Sequence, residues 1–267
     1  MISDLKPLNP IPPLSDDKRW MRLALLMAAR AQARTAENPP VGCVLVSRGG
    51  QLLATGMTDR TGRPHAEQSA LNKCIDFPER LKGASAYVTL EPCAHHGQTP
   101  PCAGALLAAG IGRVVYSVGD PDSRVDGRGH AMLEQAGVQV ESDLLQDKAR
   151  DIMAGFLFSQ NWKRPAITSK IALSSDGFVA KQRGQQTWLT GLTAKTFVHD
   201  LRSRHDSILT GIDTILSDDA QLNCRLAGDA GDSPVRARAP RSTAPPRARA
   251  SPGPPPDAPL VPLPAPP

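Results

Sequence analysis

Three short segments, far apart in the chain, carry side chains that can hold a single metal ion if the fold brings them together. They are His65-Ala66-Glu67, Pro92-Cys93 and Pro101-Cys102. One imidazole and two thiolates fill three corners of a tetrahedral zinc site and leave the fourth corner for water. The pattern therefore requires a fold that places positions 65, 93 and 102 at one point.

Glu67 lies two residues after the histidine and predicts a chemical role for this site. A carboxylate there can move the protons of a water molecule without binding the metal. The sequence His-x-Glu followed by a Pro-Cys pair is typical of zinc nucleobase deaminases. We predict His65, Cys93 and Cys102 as metal ligands and Glu67 as the catalytic proton shuttle.

The spacing of the cysteines departs from the common pattern. Eight residues separate Cys93 from Cys102, whereas two separate the cysteines in the usual form. A purely structural zinc site would need a fourth protein ligand. For that role the sequence offers Cys74, His95 and His96. Two core thiols that bind no metal are the remaining alternative.

Hydrophobic periodicity and turn residues predict alternating strands and helices after a flexible segment 1–15. A helix is expected from Asp16 to about Arg34. The predicted strands are 41–46, 51–57, 86–90, 113–118 and 138–140, and the further predicted helices are 65–74, 102–109 and 127–136. Strands that alternate with helices indicate an α/β sandwich.

The composition of the chain argues against several classes of partner. Of the formal net charge of +5, segment 228–267 contributes five Arg against three Asp, so the rest carries only +3. No apolar run approaches the length of a membrane span. Five cysteines without a regular spacing favour a reducing compartment. We therefore predict a cytoplasmic protein with no nucleic-acid partner and no membrane partner.

The run from Thr89 to Cys102, with its long loop between the cysteines, closely resembles the bifunctional riboflavin-biosynthesis deaminase/reductase family. The likeness covers roughly Trp20 to Leu226 and includes 38–43, 64–67 and 126–129. It implies a cytidine-deaminase-like three-layer αβα domain over 16–150, followed by an incomplete dihydrofolate-reductase-like α/β domain over 151–227. It also implies a phosphorylated pyrimidine substrate, 2,5-diamino-6-ribosylamino-4(3H)-pyrimidinone 5′-phosphate, with Zn²⁺ for deamination and NADPH for reduction of the ribosyl group.

The resemblance extends to residues that would bind the substrate of the first domain. Asn38 would hydrogen-bond the pyrimidine, although a turn residue before proline is the alternative. His95 would hold the substrate near the metal, with a surface loop position as the alternative. The family often has His where this chain has Thr58 and a basic residue where it has Gln98. Both differences would weaken the grip on the substrate phosphate.

The second domain is expected to begin with a strand over Pro165–Leu173 and to contain a helix over Ala194–Arg204. By the resemblance, the residues in contact with NADPH would be Ala172, Trp188, Thr214 and Asp218. Those in contact with the substrate would be Gln186, Arg202, Leu222 and Arg225. For Arg202 a solvated helix face, and for Trp188 a core position, are the alternatives.

Segment 228–267 differs in composition from everything before it. It contains 13 of the 26 prolines, together with many Ala and Arg, and is predicted to be disordered. Our hypothesis is that the reading frame is lost near Gly228, which would leave a truncated reductase with slight activity or none. An Arg/Pro interaction tail is the alternative. The sequence does not give the oligomeric state, so both a monomer and a homo-oligomer stay as alternatives.

Overall fold

The structure is a computed structural model, and it describes residues 16–94, 100–121, 127–182, 187–226, 233–239 and 260–262. The chain divides into two compact units. The first contains helix α1 (Asp16–Ala31) and the range Glu37–Pro165, and the second contains Gln32–Ala36 and the residues that follow Pro165.

A five-stranded mixed sheet forms the centre of the first unit. Its strands are β1 (Gly42–Val46), β2 (Leu52–Met57), β3 (Ser85–Val88), β4 (Arg113–Tyr116) and β5 (Gln139–Glu141), in the order β2-β1-β3-β4-β5. β1 is antiparallel to both of its neighbours, while β3, β4 and β5 run parallel to one another. Every residue of β1 is buried, which explains its continuous apolar sequence.

Helices cover both faces of this sheet. They are α1, α2 (Ala66–Asn72), α3 (Cys102–Ala108), α4 (Arg128–Gln135), α5 (Gln146–Ile152) and α6 (Ala154–Trp162), with a 3₁₀ turn at Pro78–Leu81. A Cβ on Gly42 would lie 1.9 Å from the Ala24 carbonyl oxygen of α1, and a Cβ on Gly56 would lie 2.0 Å from the Ala66 carbonyl oxygen of α2. Gly56 pairs with Cys43, the neighbour of Gly42, and adjacent strand residues face opposite sides. α1 and α2 therefore lie on opposite faces, and the predicted three-layer arrangement is confirmed.

The core of the first unit continues beyond residue 150. Met153 is fully buried, and Phe156 and Leu157 of α6 pack against the same cluster. The first unit therefore extends to Pro165, past the expected boundary at 150. Among the helices of the described residues, none combines the length and the apolar composition that a membrane crossing requires.

The second unit has a parallel three-stranded sheet and two helices. Its elements are α7 (Leu192–Ser203), β6 (Ser207–Gly211), α8 (Ile212–Asp218), β7 (Val235–Ala239) and β8 (Leu260–Pro262). The strand order is β6-β7-β8. The strand predicted over Pro165–Leu173 is wrong, because these residues have no regular structure. Ile167, Ile171 and Leu173 are exposed, and no strand of the described residues pairs with them.

The prediction that residues 228–267 are wholly disordered also needs correction. β7 and β8 lie in that range, and β7 pairs with β6 along five residues. The sequence Val235-Arg236-Ala237-Arg238-Ala239 alternates with period two, which is a strand pattern that composition alone conceals. Arg236 is buried, and its Nη1 donates a hydrogen bond to the Gln221 carbonyl oxygen at 3.0 Å.

Candidate active site

The three predicted metal ligands converge at the ends of elements in the first unit. His65 is the residue before α2, Cys102 is the first residue of α3, and Cys93 lies in the loop after β3. A proline precedes both His65 and Cys102, and Pro101 has an extended backbone conformation. Each helix therefore begins at its ligand or at the next residue. The loop and both helix starts therefore present donor atoms from fixed backbone.

The spacing of the donor atoms fits a tetrahedral zinc ion. The His65 Nδ1 atom lies 3.8 Å from the Cys93 Sγ atom and 3.4 Å from the Cys102 Sγ atom. All three donor atoms lie within 4.8 Å of one another. A zinc ion with ordinary Zn–S and Zn–N bonds would hold nitrogen and sulfur about 3.6 Å apart. The residues present therefore fit this ion in both chemistry and distance.

Electrostatics favour a thiolate at Cys93. Sharing a proton with the Cys102 thiol, and then hydrogen bonding to His65, lowers the pKa of Cys93 to about 4. The same shared proton, held by Cys102, raises the pKa of Cys102. Hydrogen bonding to Cys93 raises the pKa of His65 against the opposing effect of burial. The Cys102 backbone N–H also donates to the Cys93 Sγ atom at 3.3 Å, which stabilises a negative sulfur.

Glu67 is a buried carboxyl group beside these ligands. Its side chain is only 4% exposed. Burial, and then the negative charge of Cys93, raise the pKa of Glu67 to about 7. A group with that pKa can accept and donate protons at neutral pH.

Asn38 lies in the turn between α1 and β1, and a buried threonine anchors that turn. The Thr58 Oγ1 atom accepts a hydrogen bond from the Val41 N–H at 3.0 Å and donates one to the Pro39 carbonyl oxygen at 3.0 Å. These bonds tie the residues after Asn38 to the end of β2. The Thr58 hydroxyl is therefore committed to the backbone.

A cavity of about 420 Å³ lies within the second unit. It brings together six of the eight residues predicted for that domain, namely Trp188, Arg202, Thr214, Asp218, Leu222 and Arg225. Ala172 does not line it, and Gln186 lies outside the described residues, as does His95 of the first domain. The cavity is thus the candidate cofactor and substrate site of the second unit.

Cations crowd one wall of this cavity. Burial, followed by the charges of Arg202 and Arg225, lowers the pKa of His199. Arg202 donates from Nη1 to the Asn223 carbonyl oxygen at 3.1 Å, while its Nε is buried with no hydrogen-bond partner among the described residues. The guanidinium groups of Arg202 and Arg225, which both line the cavity, suit an anionic ligand such as a phosphate. The chemistry of the wall therefore fits phosphorylated ligands.

Sequence reasoning missed Lys195 and His199, which also line this wall. The Lys195 ammonium lies 3.6 Å from the centre of the Trp188 ring. A signal was present, because Lys195, His199 and Arg202 recur at i, i+4 and i+7, the spacing of one face of α7.

Comparisons with known proteins find relatives of both units. The model of the cytidine and deoxycytidylate deaminase zinc-binding region matches residues 14–118, and that of the RibD C-terminal domain matches residues 165–250. The riboflavin biosynthesis protein RibD of Mycobacterium tuberculosis is 37% identical over 232 residues, which are 86% of this chain and 67% of that protein. The chain belongs to the RibD family.

Other RibD relatives show how much of the family the chain spans. RibD of Escherichia coli is 44% identical over 209 residues, which are 78% of this chain and 56% of that protein. The crystal structure of the diaminohydroxyphosphoribosylaminopyrimidine deaminase/5-amino-6-(5-phosphoribosylamino)uracil reductase of Thermotoga maritima superimposes with a TM-score of 0.78 at 35% identity. The superposition covers 85% of this chain and 63% of the Thermotoga chain. The chain thus spans little more than half the length of RibD from Escherichia coli.

Membership of the RibD family also confirms the expected pair of domains. A cytidine-deaminase-like domain is followed by the RibD C-terminal domain, which has a dihydrofolate-reductase-like fold. The match to that C-terminal domain continues beyond Leu226 and includes β7. The individual roles of the residues gathered at the two sites stay predictions.

Proposed function

We propose that the first unit catalyses the zinc-dependent hydrolytic deamination of 2,5-diamino-6-ribosylamino-4(3H)-pyrimidinone 5′-phosphate. The product would be 5-amino-6-(5-phosphoribosylamino)uracil, in riboflavin biosynthesis. The observation that carries the proposal is the convergence of His65, Cys93 and Cys102 at tetrahedral spacing beside the buried Glu67. The substrate class is supported by the similarity to the deaminase/reductase of Thermotoga maritima.

The chain's own residues divide the work between binding metal and moving protons. His65, Cys93 and Cys102 would hold zinc, which supplies a water acidified towards neutral pH. Glu67 accepts a proton as the water oxygen attacks the ring carbon that bears the amino group. Glu67 delivers that proton to the ring nitrogen, then takes the second proton of the former water from the new hydroxyl group and delivers it to the departing amine. One water is consumed, one ammonia leaves, and no electron acceptor is needed.

Two further residues would position the substrate. Asn38 offers an amide that both donates and accepts hydrogen bonds, on a turn that Thr58 holds in place. We assign His95 the same kind of role by its likeness to the family. Because the structure does not describe residues 95–99, this assignment depends on the sequence alone.

We also propose that the second unit binds NADPH and a ribosylamino-pyrimidine phosphate for reduction of the ribosyl group to ribityl. Trp188, Thr214 and Asp218 would contact the cofactor, and Arg202, Leu222 and Arg225 the substrate. The support is their arrangement around one cation-rich cavity. Ala172 and Gln186 complete the assignment by likeness alone.

The cytoplasm is the compartment we propose. The observation in its favour is that all five cysteines are free thiols, of which three have no part in the metal site. A small phosphorylated substrate needs neither a nucleic acid nor a membrane as partner. Whether the protein forms a homo-oligomer is a question for native mass spectrometry.

The deciding experiment measures ammonia release by the purified protein from the phosphorylated pyrimidine, with and without a zinc chelator. We expect turnover that the chelator abolishes. We expect Glu67→Gln to retain zinc and to lose activity about 10²–10⁴-fold, the usual contribution of a general acid–base. Glu79→Gln, an exposed carboxylate of the same unit, is the matched control.

Two outcomes would contradict the proposal. One is full activity of Glu67→Gln, which would remove the proton-shuttle role of this carboxylate, or turnover that the chelator leaves unchanged, which would leave a structural or binding role for the metal. The other is ammonia release from tRNA or single-stranded DNA and none from the phosphorylated pyrimidine, which would indicate a nucleic-acid deaminase.

A further inference from the structure

A buried carboxylate with no part in the proposed deamination lies two residues before the metal ligand Cys93. Glu91 is only 3% exposed. Its Oε2 accepts a hydrogen bond from the Gly127 N–H at 3.1 Å, and its Oε1 accepts one from the His130 N–H at 3.1 Å. Both donors belong to the first turn of α4, where helix N–H groups have no partner within the helix. The carboxylate therefore ties the start of α4 to the loop that carries Cys93.

The backbone of α4 also lies directly against that loop. A Cβ on Gly129 would lie 1.9 Å from the Pro92 carbonyl oxygen and 3.2 Å from the Glu91 Oε1 atom. Only a residue without a side chain allows this approach. The peptide group between Pro92 and Cys93 is thus in contact with the first turn of α4. This contact explains the glycine at 129, to which the deaminase chemistry assigns no role, whereas Gly127 has a left-handed backbone conformation (φ +74°) that favours glycine.

Helix α3 holds Cys93 from another direction. The Ala103 N–H donates to the Cys93 carbonyl oxygen at 3.1 Å, and the Cys102 N–H donates to the Cys93 Sγ atom at 3.3 Å. The Glu91 N–H in turn donates to the Val118 carbonyl oxygen at 2.8 Å and continues the pairing of β3 with β4. The backbone around Cys93 is therefore fixed by α3, by α4 and by the sheet.

We propose that Glu91 is a positioning residue of the metal centre. By binding the first turn of α4 it fixes the Pro92–Cys93 peptide, and so it sets the direction from which the Cys93 sulfur reaches the metal. The inference rests on the proposed zinc site at His65, Cys93 and Cys102. The sequence motif alone places Cys93 on a loop, and the hydrogen bonds from α4 to Glu91 give this ligand additional support.

Metal binding by Glu91→Gln tests this role. The amide places an N–H₂ where a backbone N–H now donates to a carboxylate oxygen, so one of the two bonds to α4 is lost. Loss of a group that orients a metal ligand commonly weakens metal affinity 10–100-fold. We expect that loss in a zinc competition titration, and we expect a shift of the absorption bands of the Co²⁺-substituted protein.

Glu134→Gln is the matched control, because Glu134 lies on the same helix and pairs with His130 through an exposed side chain at 3.3 Å. It removes the same charge, and we expect wild-type zinc affinity and cobalt bands. Wild-type zinc affinity and cobalt bands in Glu91→Gln would overturn the positioning role and leave Glu91 as a helix cap.

A second variant decides the matter if Glu91→Gln does not fold. Gly129→Ala keeps the carboxylate but adds a methyl group against the Pro92 carbonyl oxygen. We expect weaker zinc binding and shifted cobalt bands in this variant too, and their absence would contradict the inference. A wild-type protein that binds no zinc would instead remove the metal centre itself, an outcome separate from either variant's result.

Discussion

The two units of this chain differ in how well their functional residues are supported by a core. The first unit buries β1 at every position, and the elements next to its candidate metal ligands contain fully buried side chains, such as Leu106 of α3 and Val88 of β3. Among the described residues of the second unit, Leu222 and Pro234 are the only buried apolar side chains, while Leu192, Phe197 and Leu209 are more than 60% exposed. Few buried contacts mean low local stability. Sequence similarity to one family thus extends over two regions of unequal packing.

The largest expected effect separates the two proposed activities. We expect a chelator to reduce ammonia release from the pyrimidine at least 100-fold, because the ligand set is built for a metal. Because few apolar side chains of the second unit are buried among the described residues, we predict that NADPH oxidation on the deaminated product is slow beside ammonia release. A coupled assay measures both rates on one preparation. Normal NADPH turnover would show that the weakly packed second unit is functional, and it would remove the expected difference in activity between the two units.

A core substitution should sharpen the contrast in stability. Leu106 is fully buried in α3, so Leu106→Ala is expected to destabilise the first unit by about 2–5 kcal/mol. Leu192→Ala removes a side chain that is 81% exposed in the second unit, and we expect a change of about 0.5 kcal/mol or less. Urea unfolding followed by circular dichroism measures both. Equal losses of unfolding free energy in the two variants would mean that the exposure of Leu192 does not indicate its contribution to stability.

A smaller effect is expected from one buried hydroxyl. Thr58→Ala leaves the Val41 N–H and the Pro39 carbonyl oxygen without their partner, at a cost of about 1–3 kcal/mol. Thr196→Ala is the matched control, because its exposed hydroxyl bonds only to the Leu192 carbonyl oxygen of its own helix. Thermal unfolding should distinguish the two. A control as unstable as Thr58→Ala would indicate that burial does not set the cost.

The smallest effect concerns an ion pair and its dependence on pH. Both carboxylate oxygens of Asp17 accept hydrogen bonds from Arg113, at 2.7 and 3.0 Å, and these bonds lower the pKa of Asp17 below its ordinary value of 3.8. A lowered pKa in the folded state stabilises the protein above pH 3.8, and this contribution is lost as the pH falls through the folded-state value. Because Asp17 is about one-third exposed, solvent screening limits the contribution to about 1 kcal/mol.

Asp17→Asn should therefore lower the free energy of unfolding at pH 7 by about 1 kcal/mol and should have progressively less effect below pH 4. Asp16→Asn is the control, because Asp16 is an exposed neighbour on the same helix. Unfolding curves from pH 3 to pH 7 provide the measurement. A deficit in Asp17→Asn that persists at pH 3 would exclude the ion pair as its source.

Much of the first unit follows from the sequence because its signals are local or strictly spaced. Such signals are the apolar run of β1, the helix starts at Pro64-His65 and Pro101-Cys102 and the His-x-Glu motif, each of which lies within a few consecutive residues. The second unit is less predictable from the sequence. Residues 165–173 are apolar enough for a strand but lack a paired neighbour among the described residues, and β7 lies in a segment whose composition suggests disorder. A strand is decided by its partner, which local sequence does not reveal.

The sequence by itself determined the candidate ligands, their order and the carboxylate near them, because imidazole and thiolate are side chains that bind zinc and a nearby carboxylate can move the protons of a water molecule. Only the tertiary structure decided what holds those ligands in place. Glu91 becomes a support for Cys93 because α4, 36 residues later at Gly127, folds back onto its carboxylate. Likewise Lys195 and His199 join Arg225 only when α7 and the loop after α8 enclose one cavity. Contacts between residues distant in the chain depend on how elements pack, and one sequence contains no direct record of that packing.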